Sequence, residues 1–138
     1  MLDILKKADF EKVGEWKLES DCLQFDIHCQ SAKNSEGGLY SLVIDDEPKF
    51  IGIANKSLQE RMKLYTNSNS GYTKLVRNAK GIYMALSLNS RVEIFFLRNE
   101  GCVYNDIFPV DLSAGIFDSL IKACSPEWNV SSRIKQIN

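Results

Sequence analysis

The sequence has 138 residues, of which 44% are hydrophobic and 25% charged, and its formal net charge is −1 at pH 7. These values are ordinary for one globular domain that buries its own core. No apolar run approaches the ~18 residues of a membrane-spanning helix, and residues 1–7 lack the order of charge and apolar block of a signal peptide. We therefore expect a single domain over 1–138, located in the cytoplasm and without a membrane partner.

Charge is segregated along the chain. Residues 1–50 carry 6 Lys/Arg and 11 Asp/Glu, residues 56–91 carry 7 and 1, and residues 92–138 carry 4 and 6. A basic middle third in an otherwise acidic protein indicates a local surface for a polyanion. Helices with solvated basic faces would give the same counts, so charge alone does not decide between the two interpretations.

Hydrophobic periodicity predicts helical and extended segments at the start of the chain. Apolar residues at helical spacing predict an amphipathic helix over 2–12, ended by Gly14. Alternating apolar residues between 15 and 30 predict a strand or a hairpin. Residues 1–34 are thus expected to form an N-terminal extension of one helix and strand.

The next segment combines a predicted hairpin with a predicted helix. Two apolar runs, Leu39 to Ile44 and Phe50 to Ala54, flank a polar, turn-like stretch and predict a β-hairpin. Ser57, followed three residues later by Glu60, matches a capping box, so a helix should begin near Ser57. The succession of hairpin and helix can bring side chains of both elements to one side.

The second half of the chain continues with the same alternation. We predict a helix from Thr73 to about Leu88 that contains Gly81, a buried strand over 91–97, an irregular segment over 98–111 and a helix from Ser113 to Pro126.

These elements predict an α+β fold, with a small and mostly antiparallel central sheet of three or more strands flanked by helices. The connection from Tyr40 to Phe50 is too short for a parallel crossover.

Several residue groups in fixed order resemble the GIY-YIG nuclease superfamily. They are Gly38-Leu39-Tyr40, then after nine residues Phe50-Ile51-Gly52, then Leu58-x-x-Arg61-x-x-x-Tyr65, and finally Leu120-Ile121 followed by Pro126-x-Trp128-Asn129. The resemblance covers roughly residues 35–130, which we take as the core. A literal Gly81-Ile82-Tyr83 lies inside a helical pattern with no second tripeptide before the next strand, so we do not assign it to this motif.

The resemblance implies hydrolysis of phosphodiester bonds in DNA. In the superfamily a tyrosine of the first tripeptide helps to activate water, an arginine on the next helix neutralises the phosphate, and a glutamate on a late helix holds one divalent cation, Mg²⁺ or Mn²⁺. This division of labour is physically reasonable, because the attacked phosphate gains negative charge that a cation and a guanidinium group stabilise.

The resemblance assigns candidate roles to five residues of this chain. Tyr40 would orient or deprotonate water, with help from a cation because its free pKa is about 10. Arg61 would clamp the phosphate. Tyr65 stands where many members have histidine, Phe50 replaces the second tyrosine, and Asn129 matches the closing asparagine.

The metal-binding glutamate of the superfamily is missing from its expected position. Counting back from Leu120-Ile121, that position falls on Phe117, and a phenyl ring cannot coordinate a cation. Asp118 is adjacent but lies about 100° further around a helix. A local shift of the helix would allow Asp118 to supply the carboxylate, or another acidic residue such as Glu93 or Asp111 could supply it.

Three functions fit this pattern. The chain could be a metal-dependent endonuclease with a replacement carboxylate, a catalytically dead relative that occupies or competes for DNA, or a protein-interaction module. Because Phe117 occupies the carboxylate position, we expect DNA binding with feeble or no cleavage. The expected phosphate contacts are Lys56, Lys63, Lys74, Arg77 and Lys80.

Overall fold

The fold centres on an antiparallel sheet that has helices on both faces. The computed structural model describes residues 1–66, 73–99 and 102–129, and for 73–75 and 102–104 it describes the backbone. The elements in chain order are α1 (Leu2–Lys7), β1 (Glu11–Glu19), β2 (Cys22–Ile27), α2 (Gln30–Lys33), β3 (Gly38–Ile44), β4 (Glu47–Ala54), α3 (Leu58–Thr66), α4 (Thr73–Ser87), β5 (Val92–Arg98), β6 (Cys102–Tyr104), β7 (Phe108–Val110) and α5 (Leu112–Cys124). The predicted α+β class is confirmed.

Five strands form the main sheet in the order β2-β1-β5-β3-β4, and every neighbouring pair is antiparallel. The predicted β3–β4 hairpin turns through Asp45 and Asp46, both at positive φ. Such two-residue turns match the right-handed twist of the strands, and aspartate tolerates this conformation better than most residues. Within the described ranges, no helix combines the length and apolar character needed to cross a bilayer.

The predicted N-terminal helix over 2–12 is wrong in its second half. Helix α1 ends at Lys7, Asp9 turns the chain at a φ of 69°, and β1 begins at Glu11. Gly14 therefore lies inside β1, at a bulge where a Cβ atom would collide with the carbonyl oxygen of Asp26. Strand β1 sits between β2 and β5, so residues before 35 contribute two strands to the main sheet.

The sheet separates two hydrophobic cores because successive residues of a strand point to opposite faces. Tyr40 and Leu42 of β3 join the core that includes Leu58 and Met62 of α3 and Ala79 and Ile82 of α4. The other face buries a second core beneath α1 and α5. Its members include Leu5, Leu39, Val43, Ile51, Phe95, Leu120 and Ile121.

The predicted irregular segment over 98–111 is also wrong, because it contains a two-stranded ribbon. Strands β6 and β7 pair antiparallel, and the turn between them passes through Asn105 and Asp106 at positive φ. The ribbon is a sheet of its own. Pro109 lies on β7, an edge strand of this ribbon, and edge strands are where sheets tolerate proline.

The turn after α5 ties the C-terminal end of the described chain to the sheet. Ile51 donates its backbone N–H to Oδ1 of Asn129 at 2.8 Å, and Nδ2 of Asn129 donates to the Ile51 carbonyl oxygen at 2.9 Å. Strand β4 is an edge strand, whose outward backbone groups need partners when they are buried. The buried Asn129 amide therefore takes the place of a neighbouring strand at Ile51.

Gly81 lies in the middle of α4, and its neighbour explains why a glycine is accommodated there. A Cβ atom at this position would lie 2.5 Å from the indole ring of Trp128. Glycine costs about 1 kcal/mol relative to alanine inside a helix. The close approach of Trp128 to the helix backbone offsets that cost. The tripeptide Gly81-Ile82-Tyr83 is thus helical and serves packing.

We predict that Asn129→Ala lowers the free energy of unfolding by about 2–4 kcal/mol, because a buried N–H and a buried carbonyl lose their partners. Urea unfolding measures the change. Asn55→Ala, at an exposed asparagine, is the control and should change stability little. Equal stability of the Asn129 variant and the wild type would contradict the role of this amide as an edge partner.

We predict that Gly81→Ala destabilises the protein by about 1–3 kcal/mol through overpacking, although glycine-to-alanine changes in helices usually stabilise. Gly115→Ala in α5 is the matched control, since no atom lies within 4 Å of its Cβ position. Thermal unfolding should show opposite signs for the two variants. A rise in Tm for both would show that Trp128 does not restrict position 81.

Candidate functional site

Two tyrosine hydroxyls meet beneath α3. Oη of Tyr40, on β3, lies 2.6 Å from Oη of Tyr65, on α3, and both side chains are fully buried. Gly52 on β4 makes this possible, because a Cβ atom there would lie 2.7 Å from Oη of Tyr40. The glycine of the second tripeptide is thus required by the tyrosine of the first.

Arg61 is anchored to this tyrosine pair. Its Nε donates to Oη of Tyr40 at 3.3 Å, and its guanidinium carbon lies 5.9 Å from the centre of the Tyr40 ring. The aromatic ring attracts the positive charge of the guanidinium, and the hydrogen bond fixes the orientation of Nε. Among the residues described, the two terminal nitrogens of Arg61 have no hydrogen-bond partner. The guanidinium is therefore held at one edge and open at the other.

Three further side chains hold the tyrosines in place. Nδ2 of Asn78 donates to Oη of Tyr65 at 3.4 Å, the Trp16 ring meets Tyr65 edge-on at 6.1 Å, and the Phe50 ring lies 6.0 Å from that of Tyr40. Phe50 therefore packs against the first tyrosine. Sequence reasoning gave Asn78 no role. The signal in the sequence was an asparagine that lies on the apolar stripe of a predicted helix, beside Ala79 and Ile82.

Burial keeps both hydroxyls protonated. It raises the pKa of Tyr40, although the positive charge of Arg61 opposes the shift. Burial, followed by the neighbouring Tyr40, raises the pKa of Tyr65 well above its usual value. Near neutral pH the two groups are thus neutral, bonded to each other and shielded from solvent. In this arrangement Tyr40 acts as an anchor for Arg61.

A cleft of about 400 Å³ opens beside Arg61 at the start of α3. It is lined by Asn55, Lys56, Ser57, Glu60, Arg61 and Leu64. The Ser57 hydroxyl accepts a hydrogen bond from the Glu60 backbone at 3.1 Å, as the capping pattern predicted. The N-terminal end of a helix carries partial positive charge. The cleft therefore combines two cationic side chains with a helix N-terminus.

Three of the other predicted phosphate contacts, Lys63, Arg77 and Lys80, do not line this cleft. Lys63 is exposed, about 160° around the axis of α3 from Arg61. Lys80 lines a separate cleft of about 510 Å³, between α4 and β2. Nη2 of Arg77 donates to the Trp128 carbonyl oxygen at 3.2 Å, and the side chain of Lys74 lies outside the described residues. Lys56 is thus the predicted phosphate contact that lines the cleft together with Arg61.

The residue that the resemblance places at the metal-binding position belongs to a hydrophobic core. Phe117 is half-buried and packs against the core that contains Leu39, Val43 and Ile51, on the sheet face opposite Tyr40. Asp118 is exposed on α5.

The other two acidic candidates have structural partners. Glu93 is buried and pairs with Lys12 at 3.0 Å. Asp111 accepts from the Ala114 backbone at 3.2 Å and so caps α5.

The residues present do not fit the divalent cation that the resemblance implies. None of the candidate carboxylates lines the Arg61 cleft, where Glu60 is the one acidic side chain. In the part of the chain that is described, no three His, Cys, Asp or Glu residues are grouped as metal ligands. Beside the cationic Lys56 and Arg61, a single exposed carboxylate is a poor donor set for Mg²⁺.

Solved structures with a similar fold include bacteriophage T4 EndoII, studied as a glutamate-to-alanine mutant. It is 22% identical, with a TM-score of 0.70 over 93% of this chain and 97% of that chain. The restriction endonuclease HPY188I in complex with product DNA is 19% identical, with a TM-score of 0.57 over 88% and 79%. No protein-family model and no curated protein matches the sequence. These likenesses confirm the predicted GIY-YIG-like fold.

We predict that Tyr40 and Tyr65 ionise later than ordinary tyrosines when absorbance is followed against pH, and that Tyr40→Phe/Tyr65→Phe removes this late part of the titration. Because their pKa values are raised in the folded state, the unfolded state loses protons first. Their contribution to stability is complete below about pH 10 and declines as pH rises toward the folded-state values. Identical titration curves for the two proteins would contradict the buried pair.

Proposed function

We propose that this chain is a DNA-binding protein that holds a backbone phosphate in the Arg61 cleft and hydrolyses DNA feebly or not at all. The observation that carries the proposal is the guanidinium of Arg61, anchored through Nε to buried Tyr40 while its terminal nitrogens have no partner among the described residues. The similarity of the fold to a restriction endonuclease in complex with product DNA supports DNA as the ligand.

The cleft has the chemistry of an anion site. A guanidinium group can offer two parallel N–H donors to phosphate oxygens, and fixing its Nε reduces the entropy lost on binding. Lys56 adds a second positive charge, and the N-terminus of α3 adds a partial one. Glu60 opposes an anion in part, which leaves net positive charge at the cleft.

The same geometry is poorly suited to hydrolysis. A tyrosine that activates water must reach that water and release or share its proton. Here Tyr40 is buried and bonded to Tyr65, and its raised pKa keeps it protonated. Phe117 provides no oxygen for a cation at the position that the resemblance predicts. The chain therefore keeps the phosphate-holding part of the site and lacks the parts that activate water.

An active endonuclease is the second candidate, and Glu60 is the observation that favours it. It is the carboxylate nearest in sequence to Arg61, and it lines the same cleft. If this protein cleaves DNA with Mg²⁺ or Mn²⁺, then Glu60 is the residue most able to contribute a ligand.

We predict that Arg61→Ala weakens binding to a short DNA duplex by about 10- to 100-fold and that Lys56→Ala weakens it several-fold. Fluorescence anisotropy at several salt concentrations measures both changes. Each variant should also reduce the slope of the logarithm of DNA affinity against the logarithm of salt concentration, by the equivalent of about one phosphate contact. The matched control is Lys122→Ala, at an exposed lysine of α5, which should bind as the wild type does.

A plasmid-nicking assay with Mg²⁺ or Mn²⁺ separates the two candidates. The proposal expects background nicking by the wild type, Arg61→Ala and Glu60→Gln alike. Robust nicking by the wild type that both substitutions abolish would establish an active enzyme with a relocated carboxylate. Unchanged DNA affinity of Arg61→Ala would instead reject the Arg61 cleft as the phosphate site.

A further inference from the structure

The β6–β7 ribbon exposes apolar side chains on a preformed arm. Ile107, Phe108 and Val110 are 72%, 59% and 41% exposed. The base of the ribbon is clasped by Asn99, which donates to Oδ1 of Asp111 and accepts from the Leu112 backbone, both at 3.0 Å. A two-stranded ribbon is marginally stable in water by itself, so an exposed apolar ribbon gains stability from a covering partner.

The charge of the ribbon makes DNA an unfavourable partner. Residues 102–110 contain one acidic residue, Asp106, and no lysine or arginine, and the sequence around them has Glu100 and Asp111 as well as Arg98. A polyanion would be repelled by this segment. A basic surface with apolar side chains would match it.

Helix α4 presents such a surface. Tyr83 and Met84 of the helix are 41% and 63% exposed, and Leu88, in the turn directly after it, is 72% exposed. Lys80 precedes Tyr83 by three residues and Met84 by four, so it lies on the same side of the helix. The helix contains three basic residues and no acidic one. Methionine and tyrosine are side chains that adapt well to a partner surface.

We propose that the ribbon of one copy covers the α4 face of a second copy, and that two such reciprocal contacts form a two-fold dimer. Contacts of ribbon on ribbon or of helix on helix would bring like charges together, whereas the crossed contact pairs an acidic segment with a basic one. A two-fold axis repeats the crossed contact twice. This inference is independent of DNA binding.

Sedimentation equilibrium tests the dimer and its crossed contact. The wild type should dimerise at protein concentrations up to about 0.1 mM, more weakly as salt is raised. The ribbon variant Ile107→Ser/Phe108→Ser and the helix variant Met84→Ser/Leu88→Ser should each raise the dimer Kd by at least about 100-fold, because each lacks one side of both contacts. Leu64→Ser, at an exposed leucine outside both surfaces, is the control and should dimerise normally.

Mixing the two variants gives the decisive result. A mixed dimer keeps one intact contact, between the ribbon of the helix variant and the α4 face of the ribbon variant, so association should recover in part. A monomeric wild type, a loss confined to one of the two variants, or no recovery on mixing would each overturn the proposal. Circular dichroism checks folding, and Val110→Ser replaces the ribbon variant if that variant unfolds.

Discussion

The hydrogen bond between Tyr40 and Tyr65 is the interaction on which this site depends. It joins the central sheet to α3 across 2.6 Å, and it is surrounded by Trp16, Phe50 and Asn78. A buried hydroxyl without a partner costs about 1–3 kcal/mol, so each tyrosine stabilises the other. The close contact also requires Gly52 on the neighbouring strand, where a side chain would displace the Tyr40 ring.

This pairing links structure to function through Arg61. One hydroxyl of the pair accepts from Nε, which fixes the guanidinium at the mouth of a cleft and leaves its terminal edge for an anion. The burial that stabilises the pair also keeps Tyr40 protonated and away from water. In the proposed function, this single arrangement favours holding a phosphate and disfavours attacking it. Phe117, which the resemblance places at the metal-binding position, packs in the opposite core and is consistent with the proposed function.

Much of the architecture follows from local patterns, whereas the arrangement of the site depends on contacts across the sheet. The β3–β4 hairpin and the Ser57 cap lie where predicted, because alternation and capping act over a few residues. The end of α1 and the β6–β7 ribbon were missed because each relies on aspartate or asparagine at positive φ, which composition does not reveal. The basic residues of segment 56–91 predicted one surface, yet Lys63 and Lys80 lie apart from Arg61. Counting charges along the sequence does not tell which face of a helix each residue occupies.

The proposed function depends most directly on an anchored Arg61 that contacts DNA, and nuclear magnetic resonance of ¹⁵N-labelled protein observes that group itself. The Nε–H resonance of Arg61 should be protected from exchange in the free protein, since it is bonded to Tyr40, and Tyr40→Phe should remove this protection. Adding a short DNA duplex should shift the resonance in the wild type. A resonance that stays unchanged while other amides respond to DNA would contradict the central claim.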